Sequence, residues 1–368
     1  MAYGTVNADV IGTSVAGSNL GAGDASIMKN RIINGAMVID QRFGGASSTS
    51  NQVYTIDRWI YVGSQASKGT WGQNLNSVTA PIGFTNYLGF QSSSAYSVGS
   101  SDKFAFAQDI EGYNWADLNW GTANAKTVTL SFWVYSSLTG TFGGSLQNYA
   151  QTRSYPFSYT VSSANTWTQI SITIAGDTTG TWVGATNGGA LQLNIAMGVG
   201  STLSGTAGAW ASAYYFSATG ATSVVGTNGA TFYITGVQLE VGSSATGFEY
   251  VNYQTSLANC QRYYAKMTAL NTGSYNVFGS GYGQSSTAGT MFVKYPVTMR
   301  AAATVSQSNL AVANPSVLQN VTAISNADCG SDTSQVSCTV ASGLTTGAAY
   351  LLYASGSSNA YIAFSAEL

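Results

Sequence analysis

Five charged residues, Arg31, Asp40, Arg42, Asp57 and Arg58, stand near the start of a chain in which only 7% of residues are charged. Such a cluster is read either as a site or as a clasp. The chain has no histidine, so Ser-His-Asp and Cys-His nucleophiles are excluded, as is the commonest zinc and iron ligand. A mixed-sign cluster with neither His nor a third acid makes a poor catalyst. The spacing instead predicts structural ion pairs: Arg42 with Asp57 across strands, and Arg58 toward Asp40 or a carbonyl. Buried Arg–carboxylate pairs of that kind fix geometry more than they add stability. A second candidate is the acid pair Asp109 and Glu111, followed by Asp117. Residues two apart on a strand point to one face, and glycoside hydrolysis uses two carboxylates. The plainer reading is a strand end whose carboxylates accept local hydrogen bonds. No calcium loop, Walker A or dinucleotide fingerprint is present, so neither a metal nor a cofactor is expected.

Aromatic residues offer a different chemistry. In "TLSFWVYSS" the residues Leu130, Phe132 and Val134 share one parity, which leaves Trp133 and Tyr135 on the opposite face. Trp59 and Tyr61 take the non-core parity of "VYTIDRWIYVG", and Trp115 and Trp120 flank "ADLN". Aromatic rings stack on the apolar faces of sugars while nearby Asn, Gln and Thr orient the hydroxyls. Any single Trp reads as core filler. The set of Trp133, Tyr135, Trp115, Trp120, Trp59 and Tyr61 reads as a glycan platform or an oligomer interface, because large aromatic patches rarely face water on a monomer.

The elements that must position these residues are strands. Period-two runs recur: Phe104, Phe106 and Ile110; Val128 to Val134; Ile170, Ile172 and Ile174; Leu191, Leu193, Ile195 and Met197. Gly, Asn, Ser and Thr turns such as "TGTFGG" and "ATNGG" separate them. In "ATFYITGVQLEV" the apolar parity flips at Gly236, which predicts a β-bulge. "QTSLANCQRYYAKM" predicts a short helix. The fold class is all-β: a jelly-roll β-sandwich over 29–253, a second, smaller β-sandwich domain over 254–368, and an extended arm over 1–28.

Composition limits partners. Twelve Lys and Arg in 368 residues, with a net charge of −2 and no basic run, do not make a nucleic-acid groove. No run reaches the roughly 18 apolar residues of a membrane helix, and the first residues lack the pattern of a secretory leader. So little charge gives little colloidal repulsion, which suits a stable assembly better than a free monomer. Cys260, Cys329 and Cys338 are too few for a disulfide framework. Cys329 and Cys338 could bridge a hairpin, with free thiols the plainer reading.

The blocks "NRIINGAMVIDQR", "YTIDRW", "DIEGYNWADLNWGTANAKTVTLSFWVYSSLTGTFGGSL", "RSYPFSYTVSSANTW", "ATFYITGVQLEVGSSATGFEYVNY" and "CQRYYAKM", in this order, resemble a family of tailed-bacteriophage and prophage fibre proteins. Their central domain resembles carbohydrate-binding jelly rolls. The resemblance covers about residues 29–267 and is looser beyond. It implies a non-enzymatic virion component, homotrimeric, attached to other virion proteins through residues 1–28. It further implies binding to a host cell-surface glycan, on either tail or capsid. It supplies no ligand residues position by position and no depolymerase motif.

Overall fold

The computed structural model describes residues 28–269 and 276–368. The expected arm thus lies, but for its last residue, outside the described residues. The chain divides into two compact units. The first holds residues 28–36, Thr49–Gln52 and Tyr61–Tyr250. The second holds Met37–Ser48, Val53–Ile60 and Val251–Leu368. The changeover near residue 250 lies close to the expected boundary, but two early segments group with the C-terminal unit.

The first unit is a sandwich of two five-stranded sheets. One sheet has the order β1 (Ile60–Gly63), β4 (Lys103–Glu111), β9 (Gly189–Val199), β6 (Gly140–Asn148), β7 (Ser154–Val161). The other has the order β2 (Gly69–Gln73), β3 (Leu88–Ser92), β12 (Thr231–Val241), β5 (Val128–Ser136), β8 (Thr168–Ile174). A small parallel pair, β10 (Ser204–Gly205) and β11 (Ser217–Ala218), lies between β9 and β12 in the chain. Period-two burial builds the core. Val128, Leu130, Phe132 and Val134 of β5 and Leu191, Leu193, Ile195 and Met197 of β9 are all buried.

The bulge expected at Gly236 is present. Its φ is +61°, and the β12–β5 register slips between Thr235 and Gln238. This lets Phe232 and Ile234 on one side of the slip, and Val237 and Leu239 on the other, all reach the core. Residues 30–35 run beside it. Arg31 N donates to Leu239 O and Val237 N donates to Gly35 O, each at 2.9 Å. A Cβ at Gly35 would stand 2.0 Å from Val237 O, so only glycine fits there.

The second unit opens with helix α1 (Tyr253–Gln261), capped by Asn252, whose side chain accepts from Thr255 N. A three-stranded sheet follows: β13 (Tyr264–Thr268), β21 (Tyr361–Ser365), β16 (Thr304–Ser308). The other six strands close into a barrel, rather than two open layers. Its order is β14 (Val277–Gly283), β15 (Ala288–Lys294), β19 (Thr333–Val340), β18 (Val317–Cys329), β17 (Leu310–Asn314), β20 (Ala349–Ala354). Met291, Val293, Val312, Val336 and Leu352 of the barrel share one buried cluster with Ile362 and Phe364 of β21. All three cysteines are free thiols; Cys260 and Cys338 are buried.

Candidate ligand-binding site

The aromatic set does not form one platform. Arg58 has φ +72°, so residues 54–62 are not one strand and the alternation through them breaks. Strand β1 begins only at Ile60, and Tyr61 turns inward. Its ring stacks on Trp71 at 4.1 Å and on Phe90 at 5.5 Å, joining the two sheets across the core. Trp59 is 1% exposed. Trp115 and Trp120 sit around short 3₁₀ turns and are buried, ring against ring at 4.6 Å. Trp120 also meets Trp182 and Trp210 edge-on. Trp59, Tyr61, Trp115 and Trp120 are therefore structural, since a sugar cannot stack on a buried ring. Trp133 and Tyr135 do face away from the core and are half-buried. Tyr135 already has Tyr233 and Trp167 as ring neighbours, at 5.4 and 5.5 Å.

The charged residues divide between two places. Arg31 belongs to the first unit, where it forms a two-pronged pair with Asp117 at 2.7 and 2.8 Å. Arg42, Asp57 and Arg58 build a clasp in the second unit. Arg42 lies 3.5 Å from Asp57 and 3.0 Å from Glu367, with its guanidinium 3.6 Å above the Tyr264 ring. Arg58 does not reach Asp40. It pairs with Glu367 and lies over the Tyr263 ring. Asp40 instead accepts from Phe43 N and Gly45 N, closing its own turn. Gln41 donates from both backbone and side chain to Asp57. Burial outweighs Arg42 and pushes the Asp57 carboxyl up to about 6. Glu367, which completes the clasp, lies too far along the chain for local spacing to suggest it.

A hollow of about 200 Å³ on the outer face of the first sheet gathers residues that suit a ligand: Asp109, Gln147, Asn148, Tyr149, Gln151 and Gln192. Its floor is one cross-strand row. Asp109 pairs with Gln192, and Gln192 pairs with Gln147. The neighbouring residues Gln108, Leu193 and Leu146 point the other way, into the unit. Gln108 is buried, its amide exchanging two hydrogen bonds with the Ile33 backbone, at 2.8 and 2.9 Å. Gln192 Nε2 donates to Asp109 Oδ1 at 2.8 Å, and Gln147 Nε2 donates to Gln192 Oε1. Gln147 is 1% exposed, and its Oε1 has no partner among the described residues.

Tyr149 forms the wall. It is 43% exposed, and a Cβ at Gly189 would lie 2.4–2.7 Å from its ring atoms. Glycine there lets the ring lie against the start of β9. The β6–β7 hairpin is braced by Asn148, whose Oδ1 accepts from Thr152 N and Arg153 N, each at 2.9 Å. Arg153 in turn grips Asp177 through two bonds of 2.8 and 2.6 Å. Burial pushes the Asp177 carboxyl up, but Arg153, Thr179 N and Trp182 together hold it below the usual carboxylate range.

Of the acid pair, Asp109 lines this hollow, whereas Glu111 is 1% exposed. Gln147, Gln192 and Tyr149 were not singled out from the sequence. Their convergence depends on the register between β6 and β9, which single-chain periodicity does not give. Among the described residues, no group of three or more His, Cys, Asp or Glu side chains could hold a metal ion.

No protein-family description and no curated protein matches the chain. Several solved structures are similar. One is TmCBM61 in complex with β-1,4-galactotriose, 10% identical, covering 58% of this chain and 99% of that one, with a TM-score of 0.29. Another is a family 11 carbohydrate-binding module from Clostridium thermocellum in complex with a mixed-linked tetrasaccharide, 8% identical over 54% and 98%, TM-score 0.29. A third is the N-terminal cellulose-binding domain of Cellulomonas fimi β-1,4-glucanase C, 12% identical over 55% and 99%, TM-score 0.23.

Proposed function

We propose that this chain is a fibre or spike subunit of a tailed-phage virion. In this reading it is homotrimeric and binds a host cell-surface glycan in the hollow of its first unit. The observation that carries the binding role is the row Asp109–Gln192–Gln147 beside the exposed ring of Tyr149. Aligned polar groups next to an aromatic wall are what recognition of a polyol needs. The virion role is supported by the ordered sequence blocks across residues 29–267, with residues 1–28 as the attachment segment. The test is adsorption of the purified chain to host cells and to a glycan array. Tyr149→Ala and Gln192→Ala should each weaken binding while assembly persists. A wild-type chain that binds no glycan and no host cell overturns the proposal.

A second reading, a purely structural capsid fibre or decoration protein, draws on the barrel. Across its outer face Phe292, Ser280, Leu351, Ala313 and Leu318 form one cross-strand row. Phe292 and Leu318 are each 51% exposed. A hollow of about 720 Å³ on this face has no charged residue in its lining. A second copy of the chain fits such a face, since two uncharged surfaces meet without repulsion or charge desolvation. Trimers that form normally but bind no cells would favour this reading. Depolymerase activity draws less support, because a single carboxylate, Asp109, lines the ligand hollow where hydrolysis usually needs two. Reducing ends released from host polysaccharide would reinstate it.

A further inference from the structure

The barrel carries a hollow of its own. Its volume of about 720 Å³ falls in the range of small-ligand pockets. Strand register fixes its shape. Tyr282 of β14 stands opposite Ala349 of β20, and Ser280 opposite Leu351. Tyr353 lies four residues along β20 from Ala349, roughly 13 Å at the rise of a strand. Two tyrosines thus bracket a floor whose side chains are mostly short, Ser280, Ala313 and Ala349 among them. Phe292, paired with Ser280, closes one end. Tyr282 is 43% and Phe292 51% exposed, so both rings can receive a ligand. The rim is polar. Asn314 Oδ1 accepts from Ser316 N at 3.0 Å and from Val317 N at 2.9 Å. That turn fixes which way the amide faces and leaves Nδ2 as a donor beside the floor. Ser280, Tyr282 and Tyr353 add hydroxyls. Among the described residues, no Asp, Glu, Lys or Arg lines the hollow.

We infer that this hollow is a second saccharide site, specific for neutral hexosides. A pyranose has both surfaces that the hollow asks for. Its apolar C–H face suits the rings of Tyr282, Tyr353 and Phe292, and its edge hydroxyls suit Asn314 Nδ2, Ser280 and the two phenols. An acyl chain covers the walls but leaves the amide and the hydroxyls unanswered. A charged sugar finds no counter-ion in the lining, so taking it out of water there is costly. The site is separate from the row of Asp109, Gln192 and Gln147 and does not depend on it. Saccharide binding and self-association through the barrel exclude each other at this face.

The test titrates the full chain calorimetrically with neutral oligomers of glucose, galactose and mannose, in the wild type and with Tyr149→Ala to weaken the first hollow. In the Tyr149→Ala chain at least one series should still bind. Adding Tyr282→Ala or Asn314→Asp should weaken that binding at least about tenfold. Asn314→Asp keeps the acceptor that closes the turn, so its effect reports the lost donor and not a lost fold. Raising salt should leave the affinity unchanged, because no charge lines the site. Binding that Tyr149→Ala abolishes and Tyr282→Ala spares overturns the second site and leaves the first in place. Binding that Tyr282→Ala abolishes and Tyr149→Ala spares supports the second site against the first. An affinity that falls steeply with salt overturns the neutral specificity. A wild-type chain that binds none of the three series overturns the proposal. So does self-association that Tyr282→Ala abolishes with no oligomer bound, which assigns the face to a second copy.

Discussion

Lowering the pH from about 6 to about 4 should stabilise the second unit, and replacing Asp57 with Asn should abolish that response. Asp57 is 1% exposed, and burial raises its carboxyl from 3.8 to about 6 despite Arg42 and Gln41. A folded-state pKa above the unfolded value means that the folded unit holds the extra proton in between. Stability from this group is fully present below about 4 and is lost as pH rises through about 6. The shift is roughly 2 units, worth about 3 kcal/mol at ~1.4 kcal/mol per unit. The first unit behaves oppositely. The Tyr96 hydroxyl donates to Asp102 at 2.7 Å and helps hold that carboxyl down to about 2. Its contribution is present above about 4 and is lost only as pH falls toward 2. The window from 4 to 6 therefore separates Asp57 from Asp102. Urea unfolding across this window, read by hydrogen exchange in peptides covering α1 and β13, reports on the second unit alone. A wild-type stability that climbs with pH, or an Asp57→Asn variant with an unchanged slope, refutes the reasoning.

Three further outcomes follow from the geometry. Tyr149→Ala should weaken glycan binding roughly tenfold through lost stacking and leave the melting temperature unchanged. Gly189→Ala should do the same by pushing the ring aside, both checked by calorimetry. Arg153→Ala leaves the 2%-exposed Asp177 without its cation. It should cost about 3 kcal/mol in the first unit and change the fluorescence of Trp182, whose Nε1 donates to Asp177. On the proposed assembly through the barrel face, Phe292→Glu should leave the chain monomeric in sedimentation velocity without altering the circular dichroism. An unchanged sedimentation coefficient would locate the contact elsewhere.

The strands were legible where side chains simply alternate. In β5 and β9 every residue assigned inward by parity is buried, and the parity flip at Gly236 marks a true bulge. Reading failed at Arg58, because a single left-handed residue in the middle of an alternating run reverses every face after it. The clasp was half legible. Arg42 and Asp57 are near in sequence, but Glu367 comes from 309 residues beyond Arg58. The ligand hollow was least legible. Asp109 was noticed for its charge, yet its partners Gln192 and Gln147 are set by strand pairing across 83 and 45 residues. Neutral amides carry no signal of their own.

The Asn148 brace has an evolutionary consequence. Its side chain and the Arg153–Asp177 pair close the β6–β7 hairpin from below. Tyr149 and Gln151, which stand above that closure, take no part in the core. Substitutions at Tyr149 cost folding little, and at Gln151, whose φ is +60°, residues that tolerate the left-handed region do the same. On the proposed glycan-binding reading, a lineage facing a changed receptor retunes its preference at the hairpin tip while inheriting the same sheet and the same polar floor.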